Sequence, residues 1–231
     1  MKHVLSAVEG PVLSKVEAAD VAIIDYGMGN LLSVSKAFEH VAPEKKIVVT
    51  SDPAVISAAA RVVFPGVGAM PDCMRELNRR ELLEAVKQAA VSKPFLGICL
   101  GMQALFAHSE EGDCAGLGLL PGNVRLFRAP AMKDENGQKL KVPHIGWNRV
   151  HQAAKHPLWA GIEDGARFYF VHSYYTDPAD QDVVVGLTHY PFPFACAVAR
   201  DNLFAVQFHP EKSQAAGLAL LANFVTWDGS R

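Results

Sequence analysis

No run of apolar residues in the 231-residue sequence reaches the length of a membrane-spanning helix, and no sign of charge dominates. Twenty-two Lys and Arg stand against 24 Asp and Glu, a formal net charge of −2, so there is no general pull toward nucleic acid or an anionic membrane. Cysteine is scarce. Its four copies, Cys73, Cys99, Cys114 and Cys196, have neither CxxC nor Cys/His metal spacing, and four in so long a chain do not make a disulfide framework. The expectation is a reduced, cytoplasmic setting with no metal and no cofactor. The apolar stretch at the amino terminus is broken by Glu9, Gly10 and Pro11, which makes it a poor secretory leader. Internal repeats and low-complexity tracts are also lacking.

What remains is a globular composition, 50% hydrophobic, long enough to bury a sizeable core. Residues 1–20 are mixed in character and read as an extension of unknown role, leaving 21–231 as a single domain. From Val21 the pattern alternates. Val21–Asp25, Ile47–Thr50, Val62–Phe64 and Phe95–Ile98 read as strands, the first and last of them buried. Between them, Leu31–Val41, Pro53–Ala60, Asp72–Arg79 and Glu81–Val91 carry helical spacing. Such alternation predicts an α/β fold with an open, mostly parallel or mixed central sheet flanked by helices. Its ligand crevice belongs outside the carboxyl ends of the strands, where the loops Gly27–Asn30 and Pro65–Gly68 and residue Cys99 all fall. After Cys99 the style changes. Short β-rich segments at Asn123–Phe127, Leu140–Val142, Arg167–Tyr174, Val183–Thr188, Ala195–Ala199 and Leu203–Phe208 predict added antiparallel strands, with a hairpin turn at Arg200–Asn202. The polar stretch Met132–Lys139 reads as a hairpin tip. A last helix, with Leu218, Leu221, Ala222 and Val225 on one face, is expected to be capped by Ser213.

The chemistry gathers at two places. Gly97-Ile-Cys99-Leu-Gly101 is a G-x-C-x-G turn between a strand and a helix, with Met102, Leu105 and Phe106 carrying the helix onward. This is the sulfur counterpart of the nucleophile elbow, in which flanking glycines permit a sharp turn and the helix N-terminus favours the thiolate. On composition alone Cys99 would more often be a buried structural cysteine; the glycines on both sides favour the nucleophile. The second place is Gln207-Phe-His209-Pro-Glu211-Lys-Ser213. If the segment is extended, His209 and Glu211 point the same way, a base beside the carboxylate that would orient it. His-Pro-Glu without Cys99 would more often be ordinary surface. Together the two segments supply a nucleophile, a base and an orienter.

These residues resemble the Cys-His-Glu triad of the class I glutamine amidotransferases, whose domains release ammonia from glutamine. Asp25-Tyr-Gly-Met-Gly-Asn30, Pro65-Gly-Val-Gly68, Pro143-His-Ile-Gly-Trp-Asn148, Phe170-Val-His-Ser173 and His209-Pro-Glu-Lys-Ser213 further resemble the glutaminase subunits of imidazole glycerol phosphate synthases. The resemblance runs from Val21 to the last helix and implies Cys99 as nucleophile, His209 as base and then acid, and Glu211 as its orienter. An oxyanion would be received by the backbone at Leu100 and at Val67 or Gly68, a peptide that flanking glycine leaves free to switch. Gln103, Glu111, His172, Ser173 and Tyr174 take substrate-binding positions by the same resemblance. Asn30, Trp147, Asn148 and Lys212 take positions facing a separate cyclase subunit, a (β/α)₈ barrel that this chain is too short to contain. Taken singly, Gln103, Glu111 and Trp147 also admit a structural reading. Two alternatives stand beside this one: a glutaminase serving a guanylate, anthranilate or carbamoyl phosphate synthase, and a catalytically dead binding module. The motifs at 25–30 and 143–148 oppose the first, and the presence of all three triad residues opposes the second.

Overall fold

The computed structural model describes residues 18–128, 132–133 and 136–230; the expected extension at 1–20 lies almost wholly outside them, as does part of the 132–139 tip. Ala19 is buried and Asp20 accepts a hydrogen bond from Lys46 N at 2.9 Å, so packing is already established at these two residues. Strand β1 (Val21–Ile24) has all four side chains buried, as a strand covered on both faces requires. Helix α1 (Leu31–Val41) starts at Asn30, whose side chain accepts from Ser33 N, and it turns Val34, Ala37 and Phe38 inward. Strand β2 (Ile47–Thr50) leads to α2 (Pro53–Ala58), where Pro53 fits the first turn and Asp52 accepts from Ala54 N. Strand β3 (Arg61–Gly66), helices α3 (Met70–Arg79) and α4 (Leu83–Ser92), strand β4 (Phe95–Cys99) and helix α5 (Leu100–Gln103) complete this half. Strands β2, β1, β3 and β4 are parallel neighbours in that order.

The second half is strand-rich: β5 (Phe106–Ser109), β6 (Cys114–Ala115), β7 (Leu120–Leu126), β8 (His144–Gln152), β9 (Ala166–His172), β10 (Tyr174–Pro178), β11 (Val184–His189), β12 (Pro193–Arg200) and β13 (Leu203–Val206), closed by α6 (Gln214–Thr226). Strand β13 returns to lie parallel beside β4, then β12 runs antiparallel to β13. The main sheet reads β2-β1-β3-β4-β13-β12-β10-β7-β5-β6, with β11, β8 and β9 branching from β12. The expected mixed sheet is therefore present, with β4 at its centre and Cys99 at that strand's carboxyl end.

Three local expectations are corrected. Leu105 and Phe106 do not extend the helix after Cys99: Ala104 and Leu105 give their carbonyls to Leu117, Leu119 and Leu120, and Phe106 pairs with Leu120 in β5–β7. Leu140–Val142 is no strand; Leu140 N donates to Met132 O, and Lys133 bridges Lys139 across the tip. Ser213 does not cap α6 through its side chain, which is engaged elsewhere.

Candidate active site

Cys99 ends β4 with φ 54° and ψ −109°, a backbone conformation that a side chain bearing Cβ seldom adopts. The flanking glycines do not supply that torsion. Their contribution is space: a Cβ at Gly101 would lie 1.8 Å from Phe64 O, and one at Gly97 would stand 3.0 Å from both Ala205 Cβ and Gly101 O. The elbow thus packs α5 directly on β3, and Cys99 itself carries the strain. Because α5 has only four residues, the macrodipole expected from a longer helix contributes little.

After β13 the chain presents Gln207, then His209, whose N–H donates to Tyr169 O. Glu211 arrives on a 3₁₀ turn at Pro210–Lys212, and this turn, in place of strand alternation, brings its Oε1 within 2.8 Å of His209 Nδ1. Both side chains are almost fully buried. Ser213 fixes the turn from below, donating from Oγ to His209 O at 2.6 Å and accepting from Tyr169 N at 3.0 Å. Burial opposes a charge on His209, but the Cys99 sulfur and the Glu211 carboxylate outweigh it and raise its pKa to about 10. No hydrogen bond of ordinary geometry ends on His209 Nε2, the ring nitrogen not engaged by Glu211.

Cys99 and His209 open on a cavity of about 320 Å³ whose walls include Val67, Gly68, Leu100, Gln103, Glu111, His172, Ser173 and Tyr174. Ten of the eleven residues assigned from the sequence to the chemistry or the substrate thus meet around one space, and the eleventh, Glu211, lies buried behind His209. Gly68 has φ +99° and Val67 is exposed. Gln103 is buried; its Nε2 donates to Tyr174 O at 3.1 Å and to Gln207 Oε1 at 2.9 Å. Glu111 Oε2 accepts from Met70 N at 2.8 Å, and burial raises the pKa of this carboxyl.

His172 forms the opposite wall and is held differently. Its Nδ1 meets Tyr174 O at 2.7 Å, and its Nε2 meets His144 Nδ1 at 2.9 Å. A carbonyl only accepts, so His172 donates from Nδ1 and accepts at Nε2; His144 then donates from Nδ1, and its Nε2 accepts from Asn148 Nδ2 at 3.3 Å. Burial lowers the pKa of His172 to about 3 and that of His144 to about 4. His144 and His172 are direct cross-strand partners in β8–β9.

The four residues assigned to a partner face divide. Asn30 borders a small cavity that reaches His209 and Glu211, and Lys212 is exposed on the turn beside Glu211. Trp147 stands half-exposed, edge-on to Tyr169, over a second hollow shared with Arg167, Ser213 and Gln214. Asn148 faces inward as well, donating to His189 O and to the His144 ring. Sequence reasoning missed Gln207, whose Nε2 lies 3.6 Å from Cys99 Sγ, and the cavity walls Pro143 and Val171. For Gln207 the signal was its place two residues before His209 on an extended segment; for Pro143 and Val171 it was adjacency to motifs already noted.

Residues 22–227 match the family model of the class-I glutamine amidotransferases. The chain is a class I glutamine amidotransferase. The amidotransferase is 68% identical over 211 residues to the imidazole glycerol phosphate synthase subunit HisH of Thiobacillus denitrificans, covering 91% of this chain and 92% of that one. It is 66% identical over 208 residues to the subunit of the same name from Nitrosospira multiformis, covering 90% and 98%. Among solved structures it superposes on a glutamine amidotransferase with a TM-score of 0.65 at 13% identity, over 87% of this chain and 98% of the other. A glutamine amidotransferase of Thermotoga maritima gives 0.53 at 17%, over 83% and 75%; at such identities the likeness is one of fold. No described helix of the amidotransferase is long and apolar enough to cross a membrane, and no cluster of three His, Cys, Asp or Glu among its described residues is placed to hold a metal ion.

Proposed function

We propose that the chain is the glutaminase subunit of imidazole glycerol phosphate synthase. It hydrolyses L-glutamine to glutamate and ammonia and passes the ammonia to a cyclase subunit, a separate (β/α)₈ barrel, which forms imidazole glycerol phosphate and aminoimidazole carboxamide ribotide. The observation that carries the reading is the opening of Cys99 and His209, backed by Glu211, onto one cavity large enough to hold an amino acid. The identity to the HisH subunits narrows the class to this synthase.

His209, its pKa raised to about 10 by the Cys99 sulfur and the Glu211 carboxylate, takes up the thiol proton as the sulfur attacks. The Cys99 thiolate adds to the side-chain amide carbon of glutamine, and the carbonyl electrons move onto oxygen, where the N–H of Leu100 and the Val67–Gly68 peptide receive them. His209 gives its proton to the departing nitrogen, the C–N bond breaks and a thioester remains. Water then adds, His209 takes its proton, and the C–S bond breaks to release glutamate. Glu211 orients His209 and balances its charge throughout. At the amino-acid end, Gln103 has committed its two N–H donors, so its Oε1 joins Glu111 as acceptor for the α-ammonium, while the His172–Tyr174 segment faces the α-carboxylate. Asn30, Trp147 and Lys212 form the face toward the cyclase, with Asn148 behind it, bonded to His189 O and the His144 ring. Direct transfer keeps ammonia from being protonated in bulk water. Residues 21–231 act as one glutaminase domain in the cytoplasm, with 1–20 as an extension.

The test is glutamate release by the purified chain, alone and with the cyclase subunit and its ribulosyl nucleotide ligand. Large stimulation is expected; high activity indifferent to the cyclase would overturn the pathway assignment. Cys99→Ala should release no glutamate under either condition, and persistent release would overturn the mechanism.

A further inference from the structure

Gln207 is fully buried, lies outside the cavity wall and has no part in the mechanism above. Which end of its amide faces Cys99 follows from the neighbours. Tyr174 O only accepts, so the Gln103 atom 3.1 Å away is nitrogen. That same nitrogen is 2.9 Å from the Gln207 amide, so the Gln207 atom it meets is oxygen. The remaining Gln207 atom, 3.6 Å from Cys99 Sγ, is therefore an N–H donor. Any other assignment sets two donors or two acceptors against each other in a buried site. On another side of the sulfur, at 4.0 Å, stands the Val171 carbonyl, which suits an S–H and repels a thiolate.

We propose that Gln207 is a catalytic residue that donates a hydrogen bond to the Cys99 thiolate, and that Gln103, anchored on the Tyr174 carbonyl, keeps its amide donor-first. The proposal rests on the glutaminase reading for its role in the reaction, but the chemistry it describes is present before substrate arrives. Tyr174 O is shared: it also accepts from His172. The orientation thus passes from a backbone oxygen in the substrate-binding segment, through Gln103 and Gln207, to the nucleophile. Gln103 has two tasks, an acceptor toward the substrate and a donor toward the nucleophile's support. Replacement of Gln207 removes a donor from sulfur; where the replacement still accepts from Gln103 Nε2, as glutamate does, it should change the thiolate's stability and leave glutamine affinity nearly untouched.

The experiment follows alkylation of Cys99 by iodoacetamide as a function of pH in the full chain without glutamine, read at the Cys99 peptide by mass spectrometry so that half-exposed Cys114 does not interfere. Gln207→Met, which keeps volume and loses the donor, should raise the midpoint of the rate by about one pH unit, the scale of one hydrogen bond to a charged group. It should also lower kcat about tenfold. Gln207→Glu, isosteric and acceptor-only toward sulfur, should raise the midpoint at least as far, and it carries the test should the Met variant fail to fold. Gln103→Met should move the midpoint the same way by less; no movement there overturns the orienting role. Folded Gln207 variants with the parent's midpoint overturn the proposal. Because alkylation needs no glutamine, it is decided separately from the glutaminase reading, which stands or falls on glutamate release by the parent chain.

Discussion

His209 and His172 line the same cavity and are about equally withdrawn from water, 2% and 6% exposed, yet they hold opposite states of charge. Burial acts against protonation at both. His209 faces the Glu211 carboxylate and the Cys99 sulfur, groups that gain from a neighbouring positive charge. His172 donates to a peptide carbonyl, which favours its proton too little to offset burial, and it accepts from a second histidine that carries no negative charge. Depth sets the cost of a charge, and the partner decides whether it is met. Two residues two apart, just past the end of a strand, thus become an acid–base pair, while two residues paired across strands become a neutral wall.

The comparison breaks most severely at Glu211. Glu211→Gln leaves a hydrogen-bonding group in place but removes the charge, so His209 should move toward the condition of His172; glutamate release is expected to fall by roughly 10² to 10⁴ in a steady-state assay. The next effect is on stability against pH, and the signs oppose. His209 has a folded pKa raised above its ordinary 6.5, so its contribution is complete below pH 6.5 and is lost as pH rises toward about 10. His144 and His172 are lowered, so theirs is present above pH 6.5 and is lost as pH falls toward about 4 and 3. His144→Phe, in a slot already stacked by Tyr190 and Phe170, should reduce proton uptake on unfolding at pH 5 by about one, measured by calorimetry in buffers of different ionisation enthalpy. The smallest change sharpens the contrast from the other side. Asn148→Asp places a carboxylate against His144 Nε2 and should raise its pKa by about one to two units, read from the ring signals in an NMR titration; an unmoved His144 would show that burial outweighs the new partner.

Much of this was legible in the sequence because it is local. Gly97 and Gly101 mark a close approach whatever surrounds them, the runs of β1, β3 and β4 are too apolar to be anything but buried while β2 lies half-exposed at the sheet edge, and His209 and Glu211 sit two apart. The Cys99–His209 meeting was legible only through the resemblance, since it depends on β13 returning beside β4. What could not be read is what tertiary pairing creates. The apolar period of Met102, Leu105 and Phe106 suits a helix, but residues 117–120 claim the carbonyls of Ala104, Leu105 and Phe106. Strand β8 went unrecognised because His144–Gln152 alternates polar and apolar residues only loosely, and its bonds with β9 and β11 hold it extended. The direction of the Gln207 amide exists only once Tyr174, Gln103 and Cys99 are assembled, since an amide has no preferred end of its own.

The backbone at Cys99 has a bearing on descent. Glycine accepts a positive φ at no steric cost, whereas alanine meets the same strain as cysteine, so Cys99→Gly should be the steadier of the two inactive chains by about 1 kcal/mol. Position 99 is thus held by selection for its reaction and against the preference of the fold. In any lineage whose ammonia came from another source, drift at that residue would run downhill, and glycine in the elbow would be an early mark of a glutaminase that had retired into a scaffold.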